Sequence, residues 1–163
     1  MRSPARNISE SFPAVPESVG RARHLLADFA AAAGASDRKI EDVRLASSEA
    51  LTNAALHAYG SEDEGMVHVT AALVSNDLWV LIADDGCGLE PVARRPGLGL
   101  GLGLIAQLSD HLAIAPRSGG GTEVRMRFTL VGTGCGGSGQ AGRAHYRRPG
   151  MQMTGPGAHG PAH

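Results

Sequence analysis

Apolar and polar positions along the chain change period several times, and each period predicts an element. Ile8 to Pro13 alternates as a short strand does. Pro16-Glu17-Ser18 opens a helical pattern carried by Val19, Ala22, Leu25, Leu26, Phe29 and Ala30 and stopped by Gly34. Ser36 and Asp37 are N-cap candidates for a second, longer helix. No Gly or Pro interrupts that helix from Arg38 to Tyr59, and Gly60 lies just past its expected end, where a left-handed cap is favoured. Met66 to Val74 alternates and is rich in β-branched residues, while Leu78 to Ala83 is an apolar run suited to an interior strand. Ser75-Asn76-Asp77 is the expected hairpin turn between them. Gly97 to Gly103 alternates glycine with leucine, which disfavours a helix, so a glycine-rich loop is expected there with helix confined to Leu104–Leu108. His111 to Ala115 reads as a short strand, Arg117 to Gly121 as a turn, and Thr122 to Val131 as a final alternating strand.

The long helix carries polar residues in a telling place. Glu49, Asn53 and His57 follow at intervals of four, and at ~100° per residue each step drifts only ~40° round the axis. All three therefore project from one side, with Asp42 and Ala46 on the same sector. A solvated stripe on an amphipathic helix explains such a row when it is taken alone. A carboxylate and an amide among small apolar residues need partners if they are buried.

Composition narrows the function. The 163 residues suit one domain, expected over 8–131 after a loose start at 1–7. A formal charge of -1, a pI near 6.6 and 4% aromatic residues argue against nucleic acid or an anionic membrane surface as partner. Cys87 and Cys135 show no CxxC or metal spacing. Cys87 reads as a packed small residue rather than a redox sensor. No apolar leader or membrane-spanning run is seen, so a soluble, cytoplasmic protein is expected. From Gly132 onward the chain is Gly, Ser, His, Pro and Arg with almost no aliphatic residues, and 132–163 is expected to be a disordered tail. Its His145, His159 and His163 lack ligand spacing.

Four features combine into a possible chemistry. They are the Glu49/Asn53 helix, the strand ending in Asp84-x-Gly86-x-Gly88, the glycine-rich Gly97–Gly103, and Gly119-Gly120-Gly121-Thr122 opening the last strand. An Asp at a buried strand end accepts from an adenine exocyclic amine, and guanine offers no such donor there. Gly86 and Gly88 permit a sharp bend and close backbone approach. Glycine-rich backbone before a helix offers N–H groups to phosphates. An Asn carbonyl on a rigid helix suits phosphate-bound Mg²⁺, and a carboxylate one turn before it can orient or deprotonate a hydroxyl. Each feature alone is common in loops or low-complexity sequence. A dinucleotide fingerprint is disfavoured because no βαβ unit with a downstream acidic residue surrounds the glycines, and no Walker A Lys-Ser/Thr follows them.

In order and spacing the four features resemble the N, G1, G2 and G3 boxes of the GHKL (Bergerat-fold) ATPases. The resemblance is closest to the small anti-sigma factor serine/threonine kinases of the RsbW and SpoIIAB type, through Ser48 to Ala54 with His57, Gly99 to Leu102, and Leu108-Ser109-Asp110. It implies an α+β fold, a two-layer sandwich of a mixed, mostly antiparallel sheet packed on one side by about three helices. It implies ATP and Mg²⁺ as cofactors, with Glu49 as the catalytic base and Asn53 as the Mg²⁺ ligand. Asp84 is then the adenine reader, with Gly86 and Gly88 shaping its pocket. Gly99, Gly101 and Gly103 line the phosphates, Thr122 lies near the base edge, and His57 joins the cofactor-binding set. Arg94 or, preferred, Arg95 is the γ-phosphate candidate. Gly103 departs from the pattern by adding flexibility where a larger residue would stiffen the lid. The implied partners are a sigma factor and a STAS-domain anti-anti-sigma protein, with a homodimer expected. The alternative is a nucleotide-gated binding module with weak or no phosphate transfer. A detached histidine-kinase ATP domain is disfavoured, since no dimerisation helix with a phosphoacceptor His precedes the ATP module, and gyrase-like or MutL-like ATPases need a transducer domain that this length does not hold.

Overall fold

A computed structural model describes residues 6–57, 65–86 and 98–130, with the main chain alone at 56, 57 and 98–100. The elements are β1 (Asn7–Pro13), α1 (Pro16–Ala32), α2 (Asp37–His57), β2 (Met66–Val74), β3 (Asp77–Asp84), α3 (Leu98–Leu108), β4 (His111–Pro116) and β5 (Thr122–Thr129). The expected tail at 132–163 lies outside the described residues, as do Gly60 and most of the loose start.

The helix ends follow from local chemistry. Pro16 sits in the first turn of α1, where its missing N–H costs nothing. At the other end Gly34, at φ +87°, donates to Ala31 O at 3.0 Å while Ala35 donates to Ala30 O at 3.0 Å. That pair of bonds is a Schellman close, which needs the left-handed residue that glycine supplies. Between the two cap candidates for α2 the choice falls on Ser36, whose Oγ accepts from the Lys39 N–H at 3.3 Å.

Strand order in the sheet is β1-β2-β3-β5-β4, and every adjacent pair is antiparallel. The expectation of a mixed sheet is therefore corrected among the described residues. The α+β, two-layer plan holds. Along β2, β3 and β5 alternate residues point to the helices: Val67, Val69, Leu78, Val80, Met126 and Phe128 are buried there. The opposite face carries Trp79, with the Arg127 guanidinium 5.8 Å from its ring centre and His111 set edge-on at 6.1 Å. On α2 the core face combines Val43 and Leu51 with the small residues Ala46, Ala50 and Ala54, all at most 5% exposed.

Two further expectations change. Val74 pairs with Asp77, so the β2–β3 turn is the two residues Ser75 and Asn76, and Asp77 belongs to β3. Ser75 takes φ +56°, the left-handed value a tight hairpin requires at its first position. The larger change is at α3, where the glycine-leucine run expected as a loop is helical from Leu98. Each glycine costs such a helix ~1 kcal/mol relative to alanine. Ile105, fully buried, and Leu102 and Leu108, packed against the core, supply the tertiary burial that offsets it. Among the described residues no helix is long and apolar enough to cross a membrane.

Candidate functional site

The middle of α2 brings the two polar candidates to the seam with α3. A Cβ placed on Gly101 would lie 2.8 Å from Glu49 Oε2 and 3.8 Å from Asn53 Nδ2, so α3 rests on both side chains, and a methyl here would have to displace the Glu49 carboxylate end. Glu49 and Asn53 are half-buried, yet neither has a hydrogen-bond partner among the described residues. Half-buried polar groups left without protein partners are suited to a ligand or cation. Of the two glycines of this run whose surroundings are described, Gly101 adjoins them. Gly103, two positions on and so ~200° round the helix, has no atom within 4 Å of its Cβ direction. The main chain of Gly99 belongs to the first turn of α3. His57 closes α2, and its side chain lies outside the described residues, as do Gly88, Arg94, Arg95, Gly97 and Cys87.

A second cluster forms where β3 ends. Asp84 is 6% exposed, and its Oδ1 accepts from the Gly86 N–H at 3.0 Å and the Thr122 N–H at 3.2 Å. Both sequence-predicted neighbours, Gly86 and Thr122, thus meet Asp84 through their backbone. Oδ2 accepts no hydrogen bond among the described residues. Burial raises the Asp84 pKa above the ordinary carboxylate value. The two backbone bonds pull the other way, the Asp85 charge adds to the rise, and Arg117 opposes it. The β4–β5 turn reaches this cluster because Gly121, at φ +91°, passes against the Asp84 carbonyl: a Cβ there would stand 1.9 Å from that oxygen.

Three residues that the sequence reading did not single out, Arg117, Asp85 and His68, form a linked set at this strand end. Arg117 Nη1 donates to the Asp84 carbonyl at 3.0 Å and also to the Asp85 carboxylate. His68 Nε2 meets Asp85 Oδ2 at 2.7 Å, and its Nδ1 meets Ser11 Oγ at 2.8 Å. Since an ionised carboxylate only accepts, Nε2 carries the proton. The His68 bond, and then Arg117, hold the Asp85 carboxyl below its ordinary value. Asp85 is visible in sequence beside Asp84. Its partners depend on strand register and turn closure, which no local pattern announces. Among the described residues no group of three or more His, Cys, Asp or Glu is arranged to hold a metal ion alone.

Comparison with known proteins places this geometry. The family described as "Histidine kinase-like ATPase domain" matches residues 12–128. The chain belongs to the histidine kinase-like ATPase domain family. Within that family, an anti-sigma F factor of Clostridium novyi is 30% identical over 120 residues, covering 67% of this chain and 84% of the relative. A serine-protein kinase RsbW of Bacillus velezensis is 34% identical over 127 residues, covering 69% and 79%. In fold, the histidine kinase-like domain resembles the crystal structure of the RsbU and RsbW domains of a Mycobacterium tuberculosis protein, with a TM-score of 0.63 at 24% identity. The alignment covers 79% of this chain but 33% of that longer one.

Proposed function

We propose that this histidine kinase-like domain is an ATP-dependent protein-serine/threonine kinase of the anti-sigma type. It phosphorylates a STAS-domain anti-anti-sigma partner and sequesters a sigma factor. The observation that carries the reading is the pair Glu49 and Asn53, one turn apart on a helix with a buried alanine face, both polar and neither with a hydrogen-bond partner among the described residues. The names of the curated relatives, an anti-sigma F factor and a serine-protein kinase, support the same assignment.

The residues divide the work by chemistry. Asp84 Oδ2, free while Oδ1 is held, accepts from the C6 amine of adenine. Asn53 offers its carbonyl oxygen to Mg²⁺, which when bound neutralises phosphate charge. Glu49 takes the proton of an acceptor Ser or Thr hydroxyl. The hydroxyl oxygen forms its bond to the γ-phosphorus, the bond from that phosphorus to the β–γ bridging oxygen breaks, and ADP leaves with the electron pair.

Glu49→Gln is expected to spare ATP binding and lower phosphate transfer to a STAS protein by ~10²–10⁴-fold, the ordinary worth of a general base. Asn53→Ala is expected to weaken Mg-ATP binding and transfer together. Transfer assays with labelled ATP, alongside calorimetry, read both. Equal rates for wild type and Glu49→Gln would make Glu49 a structural residue. A second reading, a nucleotide-gated binder without transfer, draws on the close seating of α3 over the Glu49 carboxylate. Binding of a sigma factor by a wild type that phosphorylates no STAS partner would decide for it.

A further inference from the structure

The β4–β5 turn lacks the stiffness its position demands. Gly119, Gly120 and Gly121 stand at φ +102°, +107° and +91°. Glycine populates positive and negative φ almost equally, so three in a row hold this path only if something outside them does. The β3–β5 ladder does not, because its last pair is Ala83 with Glu123, one residue short of Asp84 and Thr122. Within the turn, Arg117 N donates to Gly121 O at 3.1 Å and Gly120 N to Arg117 O at 3.2 Å, which close the loop on itself but not onto β3. Among the described residues, Arg117 is the one side chain of the turn that crosses to β3, and it does so twice from a single nitrogen: to the Asp84 carbonyl and to the Asp85 carboxylate. Asp85 is itself held from the far side by His68, which is braced by Ser11 of β1.

We propose that Arg117 is a positioning residue for base recognition: by bridging the Asp84 carbonyl and the Asp85 carboxylate it seats the Thr122 N–H on Asp84 Oδ1 and so aims Oδ2 at the base. This rests on the reading of Asp84 as the adenine acceptor. The geometry explains why an arginine stands here. A guanidinium donates to a carbonyl and a carboxylate from a rigid plane, whereas a lysine ammonium on a flexible stem is a point charge. Asp85 needs a counter-charge in any case, since two adjacent carboxylates at one strand end repel each other. When Arg117 is lost, the Gly119–Gly121 run is released, the Thr122 N–H leaves Oδ1, and the carboxylate is free to rotate.

The test compares wild type, Arg117→Ala and Arg117→Lys in the full chain, by calorimetry with ATP and with inosine triphosphate (ITP). Inosine carries a carbonyl where adenine carries its C6 amine, and the phosphates are the same. Arg117→Ala is expected to lose ~10-fold in ATP affinity while ITP affinity changes little, so the ATP/ITP ratio narrows. Arg117→Lys is expected to recover part of that ratio. A merely structural residue would lower both affinities alike or only the melting temperature. If the wild type prefers ATP and Arg117→Ala keeps the full ratio, Arg117 does not position the reader and the inference falls alone. If the wild type binds ATP and ITP equally or neither, the Asp84 reading falls, and this inference with it. Should Arg117→Ala fail to fold, the Lys variant decides: an unchanged ratio together with an unchanged ratio in Asp85→Asn overturns the proposal, and a narrowed ratio in either supports it.

Discussion

Asp84 is a buried carboxylate with one oxygen tied down and one left over, and its protonation state decides what it can recognise. Burial holds its pKa above the usual value. As pH falls through that raised value the free oxygen gains a proton and becomes a donor, which opposes the adenine amine and suits a carbonyl instead. ATP affinity is therefore expected to fall on acidification sooner than an exposed Asp would allow, and ITP affinity to fall less. Calorimetry from about pH 8 to about pH 5 with both nucleotides reads this, because protonation of the triphosphate is common to the two and cancels in their ratio. A pH-independent ratio would remove Asp84 from base selection. The same rise has the opposite sign for folding. Ionised Asp84 costs stability above its raised pKa, and the cost is relieved as pH falls.

At the scale of elements, α3 is where sequence and structure part. Summed propensity argued against a helix at Gly99–Gly103, and the burial of Ile105 with its neighbours outweighs it. The strands and the two long helices were legible because their periods are local, and Asp84, Gly86 and Thr122 were legible because they punctuate those periods. Arg117 and His68 were not, since their roles arise from register and turn closure over long separations. The seam between α2 and α3 separates stability from chemistry in one pair of variants. Gly103→Ala meets open space and is expected to stabilise the helix by ~0.5–1 kcal/mol. Gly101→Ala gains the same propensity, but its methyl occupies the place of the Glu49 carboxylate end. That end is flexible and can swing away, so the melting temperature is expected to hold while phosphate transfer drops. If transfer by Gly101→Ala equals wild type, the Glu49 position at the seam has no part in the reaction.

At the scale of the whole domain, Asp110 links the helical layer to β5, the strand next to the sheet's far edge. Its Oδ2 accepts from the Thr129 N–H at 2.8 Å and from Lys39 Nζ at 3.2 Å, joining the first turn of α2 to the end of β5. The Thr129 bond, then Lys39, keep its carboxyl below the ordinary value, and Asp85 is lowered likewise. A depressed carboxyl contributes stability in full above its unfolded pKa of ~3.9 and loses it as pH falls through the lower folded value. Stability is accordingly expected to drop below about pH 4, and Asp110→Asn, which keeps an acceptor but not the charge, to show a shallower acid limb in denaturant titrations. At neutral pH Asp110→Ala is expected to cost about 1 kcal/mol, a hydrogen-bond value already moderate because the side chain is 41% exposed. An acid limb unchanged by Asp110→Asn would place the loss elsewhere.

The strand order carries one more consequence, and it concerns the chain while it is being made. β1 precedes both long helices in the chain, and among the described residues its one neighbour in the sheet is β2, with Pro13 paired to Met66 and Asn7 to Ala72. Both long helices are translated before that neighbour exists. For that interval β1 is without its β2 partner, and an unpaired strand edge is a template for pairing with another nascent chain. Ser9, Glu10 and Ser11 interrupt the apolar character of this strand. A charge and two hydroxyls at such a place disfavour intermolecular pairing, so they guard the polypeptide on the ribosome before any of them has a place in the finished sheet.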